Sequence, residues 1–314
     1  MTSTIDIHPA NADEQLAAYR NVHEVWGGDA PLDAFVERRL ASLQHNRAAW
    51  WVLTVTEAGQ APVVAASLGC YPLHFGTADG EHHTGFGFGA VHTRPEHRRR
   101  GLADRLCREV IRVRREQGDR FAVLFSDIDP GYYARMGFVR TATRRWRASD
   151  LHTLAHSGPV ARLKRVEEPE RRIRTLNAAY AAHHAADPVH LRRPAEYWRY
   201  SLTKYPDDLF LSVDGNQGYL RVSISPEHGG VHLIEVALKD PDRSAAALRG
   251  LAHYALDFRT LQFISGWARP PKALRTTLFT STPLTRAIPM IVDLSGELGE
   301  EQLAQTRLWS SDHF

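Results

Sequence analysis

Cysteine is scarce in this sequence of 314 residues, with Cys70 and Cys107 the only two. Two thiols cannot make a disulfide framework or a four-thiolate zinc site, and their scarcity fits a reducing compartment. No stretch approaches 18 uninterrupted apolar residues, and the opening MTSTIDIHPA has no positive n-region followed by an apolar core. The chain is therefore expected to be soluble and cytoplasmic, with no membrane partner. Net charge is small as well. The 39 Lys and Arg against 36 Asp and Glu leave +3, too little for a broad nucleic-acid footprint. The 17 histidines include no HExxH, and the adjacent pairs His82, His83 and His183, His184 lack the i, i+4 spacing of a helical metal site, so no metal is expected.

What is present is enough apolar content, 43%, to bury a sizeable core, in a chain longer than one average domain. TIDIHPA predicts a first strand. NADEQLAAYRNVHEVW predicts a helix with Leu16, Tyr19, Val22 and Val25 on one side, stopped by Gly27 and Gly28. Pro31 opens a second helix. Strands follow at AWWVLTVTE, APVVAASLGCYPL and EHHTGFGFGAVHT. A helix begins near Gly101 with Leu102, Leu106, Val110 and Val113 on one face. Next come a buried strand, FAVLFSD, a short helix in PGYYARMGF, and one or two strands in FVRTATRRWRA. Residues 151 to 165 lose periodicity and are expected to be a connector. Residues 166 to 314 then repeat the layout: helices including RPAEYWRYSL, strands at DLFLSVD, QGYLRVSI and GVHLIEVAL, a helix, a strand at LQFISGWA, a helix from Pro271, and a strand at IPMIVDLS. The expectation is a diverged duplication with units at 1–150 and 166–314.

One stretch carries chemistry. In GFGFGAVHT, Gly85, Gly87 and Gly89 alternate, so in a strand they share a face stripped of side chains, with Phe86 and Phe88 behind it. The sequence then runs through RPEHRRRG into a helix. That order aims unpaired backbone N–H groups and the positive end of the helix dipole at one point, a geometry suited to a diphosphate. Gly101 permits the tight turn, and Ala103 keeps the helix start narrow. Arg98, Arg99 and Arg100 then belong to a loop for one anion, with Arg99 facing solvent. The Gly-Lys-Ser/Thr ending of a Walker loop is missing.

These residues carry a resemblance. Val91 to Ala103, with Arg98, Gly101 and Ala103 at the spaced positions, resembles the acetyl-CoA signature (Q/R)-x-x-G-x-(G/A) of the GNAT N-acetyltransferase superfamily. Tyr132-Tyr133-Ala-Arg-Met-Gly137-Phe138 resembles its second landmark. The resemblance covers about residues 1 to 150. It implies a GNAT fold of the α/β (α+β) class, a mixed and mostly antiparallel sheet flanked by helices, here followed by a second, degenerate GNAT-like unit. It further implies acetyl-CoA as co-substrate, held by Ala90, Val91, Thr93, Arg98, Arg99, Arg100, Gly101, Leu102 and Ala103. Tandem units with one silent CoA loop resemble enhanced-intracellular-survival aminoglycoside acetyltransferases and fungal lysine side-chain acetyltransferases.

The reaction requires an amine to lose a proton, attack a thioester and expel a thiolate. Backbone N–H groups near Gly89 to Val91 are candidates for stabilising the oxyanion. Tyr133 is the candidate donor to the thiolate, its alternative role being to pack the helix. The resemblance would place a glutamate at the position of Gly87, where none stands. Asp127 is the candidate for holding or deprotonating the amine, or else an N-cap or turn residue before Pro130. A terminal carboxylate on Phe314 is another source, as the resemblance to the survival proteins implies, against a frayed tail. The resemblance implies that Trp26 and Gly27 contact the acceptor, their alternative being a plain helix stop, and His74 and His92 could line the cleft. KDPDRSAAALRG has no CoA signature, so the second unit is expected to wall the acceptor side, with Tyr197 and Trp198 supplying aromatic surface. The expected activity is acetylation of a small primary amine, an amino acid such as lysine or an aminoglycoside-like amine. A protein acceptor and a silent acyl-CoA sensor are the alternatives. An oligomer is possible, and nucleic acid is not expected as a partner.

Overall fold

The computed structural model describes residues 3–267, 274 and 276–313. The first half runs β1 (Thr4–Pro9), α1 (Ala12–Trp26), α2 (Leu32–Asn46), β2 (Ala49–Thr56), β3 (Val63–Thr77), β4 (His82–Thr93), α3 (Leu102–Glu116), β5 (Phe121–Ser126), α4 (Gly131–Ala134) and β6 (Val139–Arg140). The chain continues through β7 (Arg144–Ala148), α5 (Leu151–Ala155), β8 (Leu163–Arg165), α6 (Ile173–His184), β9 (Val189–Arg192) and α7 (Ala195–Lys204). It ends with β10 (Leu209–Val213), β11 (Gly218–Ser225), β12 (Gly230–Leu238), α8 (Ser244–Leu256), β13 (Phe263–Gly266), β14 (Thr280–Pro283), β15 (Ile288–Asp293) and α9 (Glu300–Ala304).

Asn11 caps α1 with a capping box to Glu14, which fixes where the first helix starts. Its buried face is Ala18, Tyr19 and Val22, whereas Val25, expected on that face, is 53% exposed. At the end of the helix Trp26, not Val25, packs against the cluster those buried residues join.

Two sheets form. The first is ordered β1-β2-β3-β4-β5-β15-β6, with β9 pairing the far end of β3. The second is ordered β14-β7-β13-β12-β11-β10-β8. Each has one parallel pair flanked by antiparallel ones, β4 with β5 and β12 with β13, and each pair is bridged by a helix, α3 or α8. The second sheet thus repeats the order of the first, the physical trace of the duplicated layout. The match is reciprocal in one further respect. Strand β15, from the second half of the chain, lies between β5 and β6, and β7, from the first half, lies between β13 and β14.

That exchange revises several expectations. FVRTATRRWRA makes two strands, and they join different sheets. Residues 151 to 165, expected to be a connector, carry α5 and β8, the latter an edge of the second sheet. The helix expected from Pro271 lies outside the described residues.

Candidate active site

The register of β4 and β5 creates the opening. They pair from Gly85 with Phe121 to Phe88 with Leu124 and no further, although β4 runs on to Thr93. The strands splay beyond that point. Just there β4 bulges: Ser67 pairs with His92 and Gly69 with Gly89, so Ala90 and Val91 stand opposite Leu68 alone. Ala90 takes φ 49°, a left-handed conformation that turns the local backbone groups out of the ladder.

The two faces of the splay differ. Phe86 and Phe88 share a core with Leu106, Cys107 and Val110 of α3, as do Ala122 and Leu124 of β5. The other face presents Gly85, Gly87 and Gly89, with Phe121 and Val123 alongside in a core that includes Val189 and Leu191 of β9, and with Phe125 packed against it. A Cβ on Gly85 would collide with the Phe121 carbonyl, so glycine is required for close strand approach there. Tyr71, paired with Gly87, lies across this face, its ring 2.9 Å from where a Cβ on Gly69 would stand.

After β4, Pro95 opens a short turn, and Arg98 donates from Nε to the Thr93 carbonyl at 3.1 Å. Arg99 and Gly101 both adopt left-handed φ, 62° and 70°. The backbone N–H groups of 99 to 104 have no hydrogen-bond partner among the described residues, and the first bond into α3 is made by Arg105 to the Gly101 carbonyl. Six donors at the start of a 15-residue helix form a fan suited to an anion. The residues Arg98, Arg99, Arg100, Gly101, Leu102 and Ala103 are thus brought together on one turn, adjoining Ala90, Val91 and Thr93 on the splayed strand. Arg100 lies 3.0 Å from the His97 ring, and the Arg99 side chain is exposed.

Tyr133 sits on α4 in the α3 core, 7% exposed, edge-on to Tyr132 and Phe138. Burial pushes its phenol far above the ordinary tyrosine range, with Cys107, Tyr132 and Asp127 adding to the effect. Its hydroxyl makes no hydrogen bond among the described residues, which leaves a protonated donor available to a neighbour. Tyr132 is half-buried and is pushed up to about 12, also by burial first.

Asp127 lies in the bend between β5 and Pro130 and does not cap α4, whose N-cap is Pro130. Its Oδ1 accepts from the Ala287 N–H at 2.9 Å and ties the end of β5 to the turn before β15. Gly27 caps α1, its N–H donating to the His23 carbonyl at 2.7 Å. Trp26 and Ala90 pack against the same apolar cluster, which puts the loop after α1 beside the β4 bulge. His92 is buried, both ring nitrogens lack partners among the described residues, and burial lowers its pKa.

The second half covers the glycine face. Tyr197 and Trp198 part company there: Trp198 is fully buried in the second core and donates to Asn177, while Tyr197 faces the first sheet. A crevice of about 180 Å³ lies between the end of α2, β3 and the start of α7, lined among others by Tyr71, His74, Arg192, Tyr197 and Tyr200.

Sequence reasoning missed the groups that hold the end of the chain. Far from fraying, residues 308 to 312 are mostly buried. Asp312 Oδ1 accepts from Arg193 at 2.6 Å and from Tyr197 at 3.1 Å, and Arg193 also pairs with Glu235 at 2.6 Å. His313 stands edge-on to Phe125 at 5.1 Å, and burial lowers its imidazole to about 4. Lys204 donates to the His313 carbonyl at 2.6 Å, its ammonium lowered to about 7 by burial and by Arg39 and Arg221. These residues lie far apart in sequence, and no local pattern marks them. Phe314 lies outside the described residues.

Among the described residues no cluster of three His, Cys, Asp or Glu could hold a metal, and no helix is long and apolar enough to cross a membrane. Compared with known proteins, residues 6–140 match the acetyltransferase (GNAT) domain family. No curated protein matches the chain. Its fold is similar to that of a probable N-acyltransferase from Enterococcus faecalis, with TM-score 0.73, 15% identity, and coverage of 93% of this chain and 72% of that one. It is also similar to a GCN5-related N-acetyltransferase from Anabaena variabilis, with TM-score 0.69, 14% identity, and coverage of 93% and 73%. A third similar fold is that of Eis1 from Mycobacterium abscessus, with TM-score 0.63, 15% identity, and coverage of 93% and 74%.

Proposed function

We propose that the protein, whose residues 6–140 match the acetyltransferase (GNAT) domain family and whose chain carries a second unit of like topology, transfers the acetyl group of acetyl-CoA to the primary amine of a small molecule, by direct attack in a ternary complex. The observation that carries this is the fan of unpartnered N–H groups at the start of α3, opening beside a splayed, bulged strand and a buried tyrosine.

Acetyl-CoA fits that cradle, because a diphosphate would satisfy the donors of residues 99 to 104 and Gly101 has open space where a Cβ would stand. Bound there, it supplies an activated thioester. Arg98, Arg99 and Arg100 add positive charge around the diphosphate, and Ala90, Val91 and Thr93 offer strand backbone to the arm that follows it. The N–H groups of 89 to 91, turned by the bulge, stabilise negative charge on the acetyl oxygen. Asp127, with one oxygen on Ala287, offers the other to the acceptor's ammonium and takes its proton through water. Trp26 and Gly27 border the acceptor. Tyr133 gives its proton to the departing sulfur, and burial keeps that proton in place until the thiolate forms.

In this scheme the unit at about 1–150 carries the chemistry, 151–165 joins the halves, and 166–314 covers the acceptor side. The start of α8 supports that division of labour: Asp240 and Asp242 stand where a diphosphate would need donors. Free-thiol release with acetyl-CoA against amino acids, polyamines and aminoglycosides tests the proposal. Tyr133→Phe should lower kcat about 10²- to 10⁴-fold while CoA binds as before. CoA binding with no release to any amine would leave a protein acceptor or a silent acyl-CoA sensor.

A further inference from the structure

The crevice between α2, β3 and α7 is small, and its charged lining is net positive. At about 180 Å³ it holds about six water volumes, below the range of roughly 300–1,000 Å³ typical of sites for larger ligands. Its charged lining is Arg47 and Arg192 against one carboxylate, Glu196, with His45 and His74 beside them. Neither arginine side chain makes a hydrogen bond or ion pair among the described residues, so both forks are open. Arg47 follows the last turn of α2, and Arg192 ends β9 opposite His74, so the two halves of the chain supply one guanidinium each. Behind the crevice a further cation, Arg39, is hydrogen-bonded to Tyr71 and sits near Lys204.

Two of the hydroxyls that line the crevice are committed elsewhere: Tyr197 donates to Asp312, and Tyr71 is engaged with Arg39. The two guanidiniums have no such commitment among the described residues and are the charged groups open to a ligand. Tyr71 also lies across the glycine face, so the inner end of the crevice meets the strand on which transfer is proposed.

Taking acetyl transfer to an amine as given, we propose that the acceptor is a small molecule carrying an anionic group, held by Arg47 and Arg192 while its amine reaches past Tyr71 to Gly87–Val91. A planar guanidinium grips a carboxylate or phosphate through two parallel hydrogen bonds, which orients the far end of the ligand as well as binding it. A polycationic, multi-ring amine meets charge of its own sign and too little room.

Paired amines that differ only in the anion test this at saturating acetyl-CoA: lysine against cadaverine, and phenylalanine against phenethylamine, with O-phosphoethanolamine and kanamycin added. The expected result is a KM at least tenfold lower for the carboxylated member of a pair. Arg192→Met and Arg47→Met should shrink that ratio to within about threefold, acting on KM more than on kcat, and Arg192→Lys should restore part of it. Preference for O-phosphoethanolamine with the same arginine dependence supports the proposal and identifies phosphate as the anion. Equal use of cadaverine and lysine, or efficient use of kanamycin, overturns it. If acetyl-CoA binds but no amine is acetylated, transfer is what has failed. Calorimetric binding of lysine and cadaverine to the CoA-loaded protein then reads charge selectivity alone, and equal or undetectable binding overturns the proposal.

Discussion

Gly101 shows how one residue can set the cradle. Its φ of 70° is left-handed, and a Cβ there would touch nothing, so Gly101→Ala meets conformational strain rather than a clash. The left-handed state costs an L-residue about 1–2 kcal/mol, so CoA affinity measured by calorimetry should fall roughly 5- to 30-fold while the fold survives. His183 and His184 make a different point. Burial lowers His183 to about 3 and His184 well below its usual value, each with further cations nearby, Arg307 among them. In the unfolded chain both titrate near 6.5. Below that pH the unfolded state takes up protons that the folded state refuses, so stability is present above about 6.5 and is lost as pH falls toward 3. The slope is about 1.4 kcal/mol per pH unit for each histidine. Urea unfolding between pH 7 and 5 should show this loss, and His183→Asn should flatten it. What was legible in sequence was local conformation: the left-handed turn at Gly101 ahead of α3 and the short helix α4 that carries Tyr133. His183 and His184 stood out only as an adjacent pair. Their partners, Trp309, Arg307 and the Leu238 carbonyl, lie too distant in sequence for spacing to reveal.

At the scale of elements, α7 fastens the last described segment of the chain to both sheets. Arg193, just before the helix, joins Glu235 of β12 to Asp312, and all three are fully or almost fully buried. Tyr219 donates to the same Glu235, and Ser311 does so at 2.7 Å. Arg193→Met would leave two carboxylates buried without their cation, a loss of about 3–5 kcal/mol that equilibrium denaturation would register. Adding Glu235→Gln should recover part of it, because one of the uncompensated charges is then gone. The long helices and most strands were legible because apolar periodicity survives in them, whereas the five-residue helices α5 and α9 were not. Strands β8, β9 and β14 were not, being three or four residues long and held by neighbours rather than by their own pattern. The segment from 308 to 313 was misjudged as a tail for the same reason: its burial depends on Arg193 and Lys204, which its own residues do not announce.

At the scale of the molecule, the two units cannot be parted by cutting between them. Removing everything after residue 150 takes β15 from between β5 and β6 and leaves β7 without β13 and β14. A 1–150 fragment should therefore fail to fold, shown by lost near-ultraviolet circular dichroism and by aggregation, whereas the full chain should unfold in one transition whether followed by tryptophan fluorescence or far-ultraviolet signal. Persistent native signal in the fragment would contradict this. The duplicated order of strands was legible in the sequence, and the exchange was not. IPMIVDLS has the composition of any central strand, and nothing in it says which sheet it completes.

That exchange also governs how the protein is made. A ribosome adds about 5–20 residues per second, so β5 waits roughly ten seconds or more for β15 to be synthesised. Until then β5 exposes a bare hydrogen-bonding rim to the crowded cell, a template for pairing with the wrong chain. The first half, although translated first, is completed last, and its yield depends on whatever shields that rim during synthesis.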